Sequence, residues 1–127
     1  MSTVLLLEPD QLLARTYEKA LNYAGYDVIR SIDAQSAIDA ADSRRPDLVI
    51  LELQLTGHNG IEFLYEFRSY AEWQPVPVII QSLVPPQEFR MNSVLWRELG
   101  VVAYLYKPRT SLRRLLTTVH DQLALGV

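Results

Sequence analysis

Short apolar runs alternate along this chain with longer stretches in which apolar residues recur at helical spacing. The runs begin at Val4, Tyr26, Leu48, Val76 and Val101, and most of them are apolar throughout. Strands that are buried on both faces have this composition, and amphipathic helices have the spacing seen between the runs. The pattern therefore predicts five β-strands that alternate with five α-helices.

Helix boundaries are marked by a few polar residues, glycines and prolines. Asp10 and Asp33 each precede a helical stretch, where a carboxylate can accept hydrogen bonds from the first turn. The second helix is predicted over 34–43, ahead of Pro46. The fourth helix is predicted over 87–99, with Gly100 ending it.

The alternation of strands and helices also predicts the topology. Right-handed βαβ crossovers place the strands side by side in a parallel sheet, with helices on both faces. Five such units in 127 residues fit a doubly wound α/β fold with strand order 2-1-3-4-5. We expect a single domain over residues 1–127, and no output domain within this chain.

Composition and charge narrow the classes of function. The chain has no cysteine, which excludes disulfides and thiolate metal sites, and no apolar run long enough to cross a bilayer. No signal peptide is apparent, so we expect a cytoplasmic protein without membrane contact. The net charge of −3 argues against direct nucleic-acid binding, although residues 88–127 carry six bases and three acids.

Candidate chemistry lies at the carboxyl ends of the predicted strands. Glu8 and Pro9 follow the first strand, Glu52 the third, Ser82 the fourth and Lys107 the fifth. Parallel sheets of this kind bind ligands at that edge. Two carboxylates, a hydroxyl and an amine are therefore predicted to converge there.

The motifs around these residues resemble those of response-regulator receiver domains from end to end. The chain has LLLEPD where the family keeps an acidic pair, and PDLVILELQLTGHNGIEFL around the phosphoacceptor position. It has VPVIIQS at the fourth strand, and YLYKP where the family has its lysine-proline motif. The order and spacing of all four motifs support the resemblance.

In this family the acidic pair and an aspartate hold a divalent ion, and the aspartate accepts a phosphoryl group. The resemblance places Glu52 at the phosphoacceptor position and makes Glu8 and Pro9 a degenerate acidic pair. Pro9 offers no side-chain oxygen and Glu52 is one methylene too long, so Mg²⁺ binding is predicted to be weak or absent. We expect Glu52 to reach Lys107 instead, and Asp10 to cap a helix rather than bind metal.

The resulting hypothesis is a phosphorylation-independent pseudo-receiver of two-component type that acts by protein–protein contact, has no enzymatic activity and needs no cofactor. One alternative is a working receiver that uses an unusual acceptor carboxylate. A second is a flavodoxin-like module that binds flavin or nucleotide, against which the chain lacks a glycine-rich phosphate loop after the first strand.

The resemblance also assigns switch and interface residues. Ser82 and Tyr104 match the switch hydroxyl and the switch aromatic, although Tyr104 could equally be an ordinary strand residue. The bond between Lys107 and Pro108 is expected to be cis. Partners are a histidine kinase, an output protein or a second copy of the chain, bound through the fourth helix, fifth strand and fifth helix. The candidate interface residues there are Arg90, Trp96, Arg97, Tyr104, Arg109, Arg113 and Arg114.

Overall fold

The chain folds as an α/β sandwich of three layers around one parallel sheet. The structure is a computed structural model that describes residues 1–57, 59–88 and 93–125. The strands are β1 Thr3–Leu7, β2 Asp27–Ser31, β3 Leu48–Leu51, β4 Val78–Ser82 and β5 Val101–Tyr106. The helices are α1 Gln11–Tyr23, α2 Ala34–Ser43, α3 Gly60–Ser69, α4 Ser93–Glu98 and α5 Leu112–Leu125.

The strand order is β2-β1-β3-β4-β5 and all neighbouring pairs are parallel. This confirms the predicted doubly wound order. One face of the sheet packs against α2 and α3 around Phe63 and Phe67, and the other face packs against α1 and α5 around Leu21 and Leu115. The strands are buried on both faces because each face is covered by helices.

The predicted helix caps are present. Asp10 accepts hydrogen bonds from the backbone N–H groups of Leu12 and Leu13 at 3.0 and 3.1 Å. Asp33 accepts one from Ser36 at 2.8 Å. Asp10 is thus a cap of α1, as expected.

The segment between β4 and β5 differs from the prediction of one long helix over 87–99. A 3₁₀ turn spans Pro86–Glu88, and the helix α4 occupies Ser93–Glu98. Residues 89–92 lie outside the described residues.

None of the helices among the described residues has the length and the apolar character needed to span a bilayer.

Candidate functional site

Four side chains meet at the carboxyl edge of the sheet and form what we call the carboxylate pocket: Glu8, Glu52, Ser82 and Lys107. The strand ladder brings them together, because Leu7 pairs with Leu51 and the next residues of both strands are the two glutamates. The Glu52 N–H continues this ladder by donating to the Leu7 carbonyl at 3.0 Å. The convergence expected from the strand ends is present.

Gly60 allows the chain after Glu52 to turn back into α3. A Cβ atom at residue 60 would lie 2.8 Å from the Cα of Leu53 and 3.0 Å from the carbonyl oxygen of Glu52. Such contacts are too short for any side chain, so only glycine lets α3 begin against this segment. The Gly60 N–H also donates to the Leu53 carbonyl at 2.8 Å. The backbone that carries Glu52 is therefore held firmly.

Glu52 is buried, and both of its carboxylate oxygens accept hydrogen bonds. Oε1 accepts from the Nζ of Lys107 at 2.7 Å and from the N–H of Leu83 at 3.2 Å. Oε2 accepts from the N–H of Gln54 at 3.1 Å and from the hydroxyl of Ser82. The predicted contact between Glu52 and Lys107 is present, and three further donors surround the same carboxylate.

Glu8 reaches the same lysine from the other side. Its Oε1 lies 2.5 Å from the Nζ of Lys107, and its Oε2 accepts from the N–H of Asp10 at 3.0 Å. The side chains of Glu8 and Glu52 are each 3% exposed and that of Lys107 is 7% exposed. The sequence reasoning missed this second ion pair. The available signal was the length of Glu8, which exceeds that of aspartate by one methylene.

The two carboxylates share one ammonium, and their pKa values shift in opposite directions. Burial alone would raise the pKa of Glu52, but hydrogen bonds from Lys107, Ser82 and Gln54 bring it below the ordinary value of 4.5. For Glu8, burial outweighs the bonds from Lys107 and Asp10 and raises the pKa. Burial lowers the pKa of Lys107, but both carboxylates more than offset it, so the net shift is upward.

A path of hydrogen bonds leads from the pocket towards the surface. The hydroxyl of Ser82 donates to Glu52 and accepts from the N–H of Val84 at 3.0 Å. The hydroxyl of Tyr104 donates to the Val84 carbonyl at 2.6 Å, and its ring meets that of Trp96 edge-on at 5.9 Å between centroids. Burial raises the pKa of Tyr104 to about 12, so this hydroxyl stays protonated and able to donate. Val84 is a link that the sequence did not reveal.

The expectation of a cis bond between Lys107 and Pro108 was wrong. The described residues contain no cis peptide bond. Pro108 lies inside a 3₁₀ turn, Lys107–Arg109, which the Thr110 N–H closes onto the Lys107 carbonyl at 3.2 Å. A trans bond is favoured even before proline, and this turn accommodates it.

The remaining candidates lie away from the pocket. Trp96 and Tyr104 are half-buried, and four arginines on α4, on α5 and in the turn between β5 and α5 are exposed: Arg97, Arg109, Arg113 and Arg114. We call the exposed side of these elements, with those six residues, the α4–β5–α5 face. Arg90 lies outside the described residues.

The donors present do not fit a divalent ion. Pro9 has no side-chain oxygen, and one oxygen of each of Glu8 and Glu52 already binds the Lys107 ammonium. Within residues 1–57, 59–88 and 93–125, no group of three or more His, Asp or Glu side chains is placed to hold a metal. A hard cation such as Mg²⁺ needs several oxygen ligands, which this pocket does not offer while Lys107 is in place.

Comparison with known proteins identifies the family to which this arrangement is similar. The family model described as response regulator receiver domain matches residues 4–120. The KDP operon transcriptional regulatory protein KdpE of Escherichia coli is 33% identical over 108 residues, which cover 85% of this chain and 45% of that protein. The chain spans about half the length of the curated relatives that it matches.

Solved structures show the same fold. A CheY-like receiver domain protein from Methanospirillum hungatei superposes with a TM-score of 0.85 at 21% identity, covering 98% of this chain and 94% of that one. The chemotaxis protein CheY4 of Vibrio cholerae gives a TM-score of 0.82 at 22% identity, over 95% of this chain and 98% of that one.

Proposed function

This chain belongs to the response regulator receiver domain family, and on that premise we propose that it signals without being phosphorylated. In this proposal the Glu52 carboxylate permanently takes the place of a phosphorylated aspartate. It holds the domain in one conformation, and the domain acts by binding another protein. It catalyses no reaction of its own.

The observation that carries the proposal is the unbroken path from Glu52 through Ser82 and Val84 to Tyr104. A negative group at Glu52 binds the Ser82 hydroxyl, which in turn fixes Val84 for the Tyr104 hydroxyl. In a regulated receiver, this serine would be drawn in only by an added phosphoryl group. In this chain the Glu52 carboxylate would draw in the serine instead.

The contacts of Glu52 also disfavour its use as an acceptor of a phosphoryl group. A carboxylate that attacks a phosphodonor needs a free oxygen in line with the leaving group. Both oxygens of Glu52 accept hydrogen bonds, and the side chain is almost fully buried. Reaching a phosphodonor would require breaking the pair with Lys107.

The proposal includes the absence of any required cofactor. The family's divalent ion neutralises charge during phosphoryl transfer, a step that this chain would not carry out. Pro9 and the Lys107 ammonium both support the view that Mg²⁺ is not needed.

The α4–β5–α5 face is the surface through which we propose that the domain binds a partner protein. Trp96 lies against Tyr104 at the end of the hydrogen-bond path, and in this proposal a change in the pocket would reach the surface there. Aromatic and arginine side chains are frequent anchors of protein interfaces. A histidine kinase, an output protein or a second copy of the chain would fit this proposal, whereas membranes and direct nucleic-acid contact are not part of it.

The first test is phosphorylation with a small phosphodonor and Mg²⁺, followed by intact-mass measurement. The wild-type chain is expected to gain no adduct of about 80 Da, the mass of one phosphoryl group. The variant Pro9→Asp/Glu52→Asp restores the missing carboxylate and the shorter acceptor, so it is expected to gain the adduct. A stable adduct on the wild type that disappears in Glu52→Gln would overturn the proposal in favour of a working glutamate acceptor.

A further inference from the structure

We propose that the outer edge of β5 binds an extended, acidic segment of a partner protein, which adds to the five-stranded sheet as a further strand. The inference rests on the proposed function, because it names the kind of partner that the α4–β5–α5 face would bind. It follows from the unprotected edge of β5, from the arginines that flank this edge, and from the position of Tyr104 on the strand.

The two edge strands of the sheet differ in how they are protected against an added strand. The sheet ends with β2 on one side and with β5 on the other, and no described strand pairs with the outer side of either. β2 carries Asp27 and Arg30, both of which form ion pairs, and charged side chains on an edge discourage strand addition. β5 has the sequence VVAYLY, without a charge or a proline. β5 is therefore the edge that is open to another strand.

The regular part of the β5 edge is 103–106. Val78 pairs with Val101 and Ile79 with Ala103, so the register passes over Val102, whose side chain is 43% exposed. A bulge of this kind twists the start of an edge strand away from an added strand. From Ala103 onward each residue of β5 has a partner in β4, one after the other. The backbone there has the spacing of an ordinary strand and fits a second ladder of hydrogen bonds.

The four arginines of the α4–β5–α5 face are available to an acidic partner. Their side chains form no hydrogen bond and no ion pair within the described part of the chain, whereas Arg30 and Arg44 pair with carboxylates. The helix α4 packs on one face of the sheet and α5 on the other, so arginines stand on both sides of the β5 edge. A strand added here would lie between positive charges, which acidic side chains complement.

The same charges disfavour a second copy of the chain as the occupant. The four exposed arginines of the face outnumber Glu98 and Asp121, the exposed acids of α4 and α5. Two copies that met through this face would bring like net charges together, whereas an acidic segment meets no such repulsion. Because Tyr104 lies in the regular part of the edge, the added strand would also contact the residue at which the hydrogen-bond path ends.

The test is an NMR titration of the isotope-labelled full chain with a short peptide of alternating valine and glutamate. Valine favours the extended conformation and glutamate supplies the charge. The backbone amide signals of 103–106 are expected to shift, and high salt is expected to weaken the binding. Two control peptides are expected to leave these signals in place. One has lysine instead of glutamate, and the other is acidic but has methylated backbone nitrogens, so it cannot form the ladder.

Charge reversal on the chain provides the matched variants. Arg97→Glu/Arg114→Glu is expected to bind the acidic peptide about tenfold more weakly and to bind the lysine peptide instead. Arg15→Glu/Lys19→Glu reverses two exposed charges on α1 and is expected to bind the acidic peptide as the wild type does. All four positions are exposed, so both variants are expected to fold.

Several outcomes would overturn the inference. It fails if the acidic peptide leaves the signals of 103–106 unchanged, or if its methylated form binds equally well. Equal binding of a single-stranded oligonucleotide would make the face a general polyanion site. Dimerisation of the wild type in sedimentation, abolished by Val102→Lys, would make a second copy the occupant. A phosphoryl adduct on the wild type would overturn the proposed function but leave the peptide titration of the unphosphorylated chain unchanged, so the two failures can be told apart.

Discussion

Two cations stand at opposite ends of the same sheet, Lys107 with a buried side chain and Arg68 half-buried, and their partners differ in kind. Lys107 lies at the carboxyl edge between two carboxylates. Arg68, at the end of α3, lies at the other edge and donates to four backbone carbonyls: Leu99 at 2.8 Å, Trp73 at 2.6 Å, Gln74 at 2.9 Å and Val76 at 2.6 Å. We call the latter the Arg68 carbonyl cluster.

The kind of partner distinguishes the two cations: Arg68 makes a structural contact, and Lys107 belongs to the pocket that we propose for signalling. Backbone carbonyls carry no net charge and do not titrate, and through them the Arg68 carbonyl cluster joins the end of α3 to the segments that lead into β4 and β5. The partners of Lys107 are ionisable, and one of them binds the serine that leads to Tyr104. Ionisable partners therefore surround the cation at the carboxyl edge, whereas neutral acceptors surround Arg68 at the opposite edge.

The largest effect is expected when the structural cation is removed. Arg68→Met leaves four carbonyls without their charged donor and is expected to lower the free energy of unfolding by roughly 3 kcal/mol. Urea unfolding measures this, with Arg44→Met as the matched control. Arg44 pairs with Asp27 at the surface, and its loss is expected to cost less than about 1 kcal/mol. Similar losses in both variants would contradict the special role of the cluster.

A smaller effect is expected at Tyr104, where the path from the pocket ends. Tyr104→Phe removes only the hydroxyl that donates to Val84, so the expected loss is about 1 kcal/mol. The chain has two tryptophans, and their indole N–H signals in an NMR spectrum report the two edges separately. Trp96 lies against Tyr104, whereas Trp73 stacks on Phe67 and offers its carbonyl to Arg68.

Tyr104→Phe is therefore expected to shift the Trp96 signal and leave that of Trp73 in place, and Arg68→Met to do the reverse. If the signal of Trp96 stays fixed in Tyr104→Phe, then the path ends before it reaches the surface, and the proposed link between the pocket and the α4–β5–α5 face loses its support.

The fold and the membership of the pocket could be predicted from the sequence because both depend on local order along the chain. Apolar runs give the strands, and a parallel sheet brings every strand end to one edge, so the sequence alone places Glu52 and Lys107 together. The caps at Asp10 and Asp33 followed from the same local reasoning.

The contacts of Glu8 and Arg68 could not be predicted, because they depend on how far side chains reach across the tertiary structure. Nothing in the spacing of Glu8 shows that it bridges to the same ammonium as Glu52, and nothing near Arg68 shows that four carbonyls surround it. The trans bond before Pro108 was not predicted because the expectation followed the cis bond that is typical of the family. Cis bonds before proline are infrequent in proteins as a whole.

The smallest expected effect, a change in pH dependence, separates the two carboxylates of the pocket. The folded pKa of Glu52 is below 4.5, so its stabilisation is present above about pH 4.5 and is lost as the pH falls through the folded value. The folded pKa of Glu8 is above 4.5, so its contribution has the opposite sign: it is present below about pH 4.5 and is lost as the pH rises through the folded value.

In Glu8→Gln only the second contribution disappears. Relative to the wild type, the variant is therefore expected to gain stability steadily as the pH rises from about 4.5 through the folded pKa of Glu8, and to hold a constant difference above it. Urea unfolding at a series of pH values and constant ionic strength measures this difference. Glu18→Gln removes a half-buried carboxylate outside the pocket, whose partner Arg30 lies on the sheet's edge strand, and serves as the control. Parallel pH profiles for the wild type and Glu8→Gln would mean that folding does not raise the pKa of Glu8. In that case the pH dependence of the pocket would come from Glu52 alone.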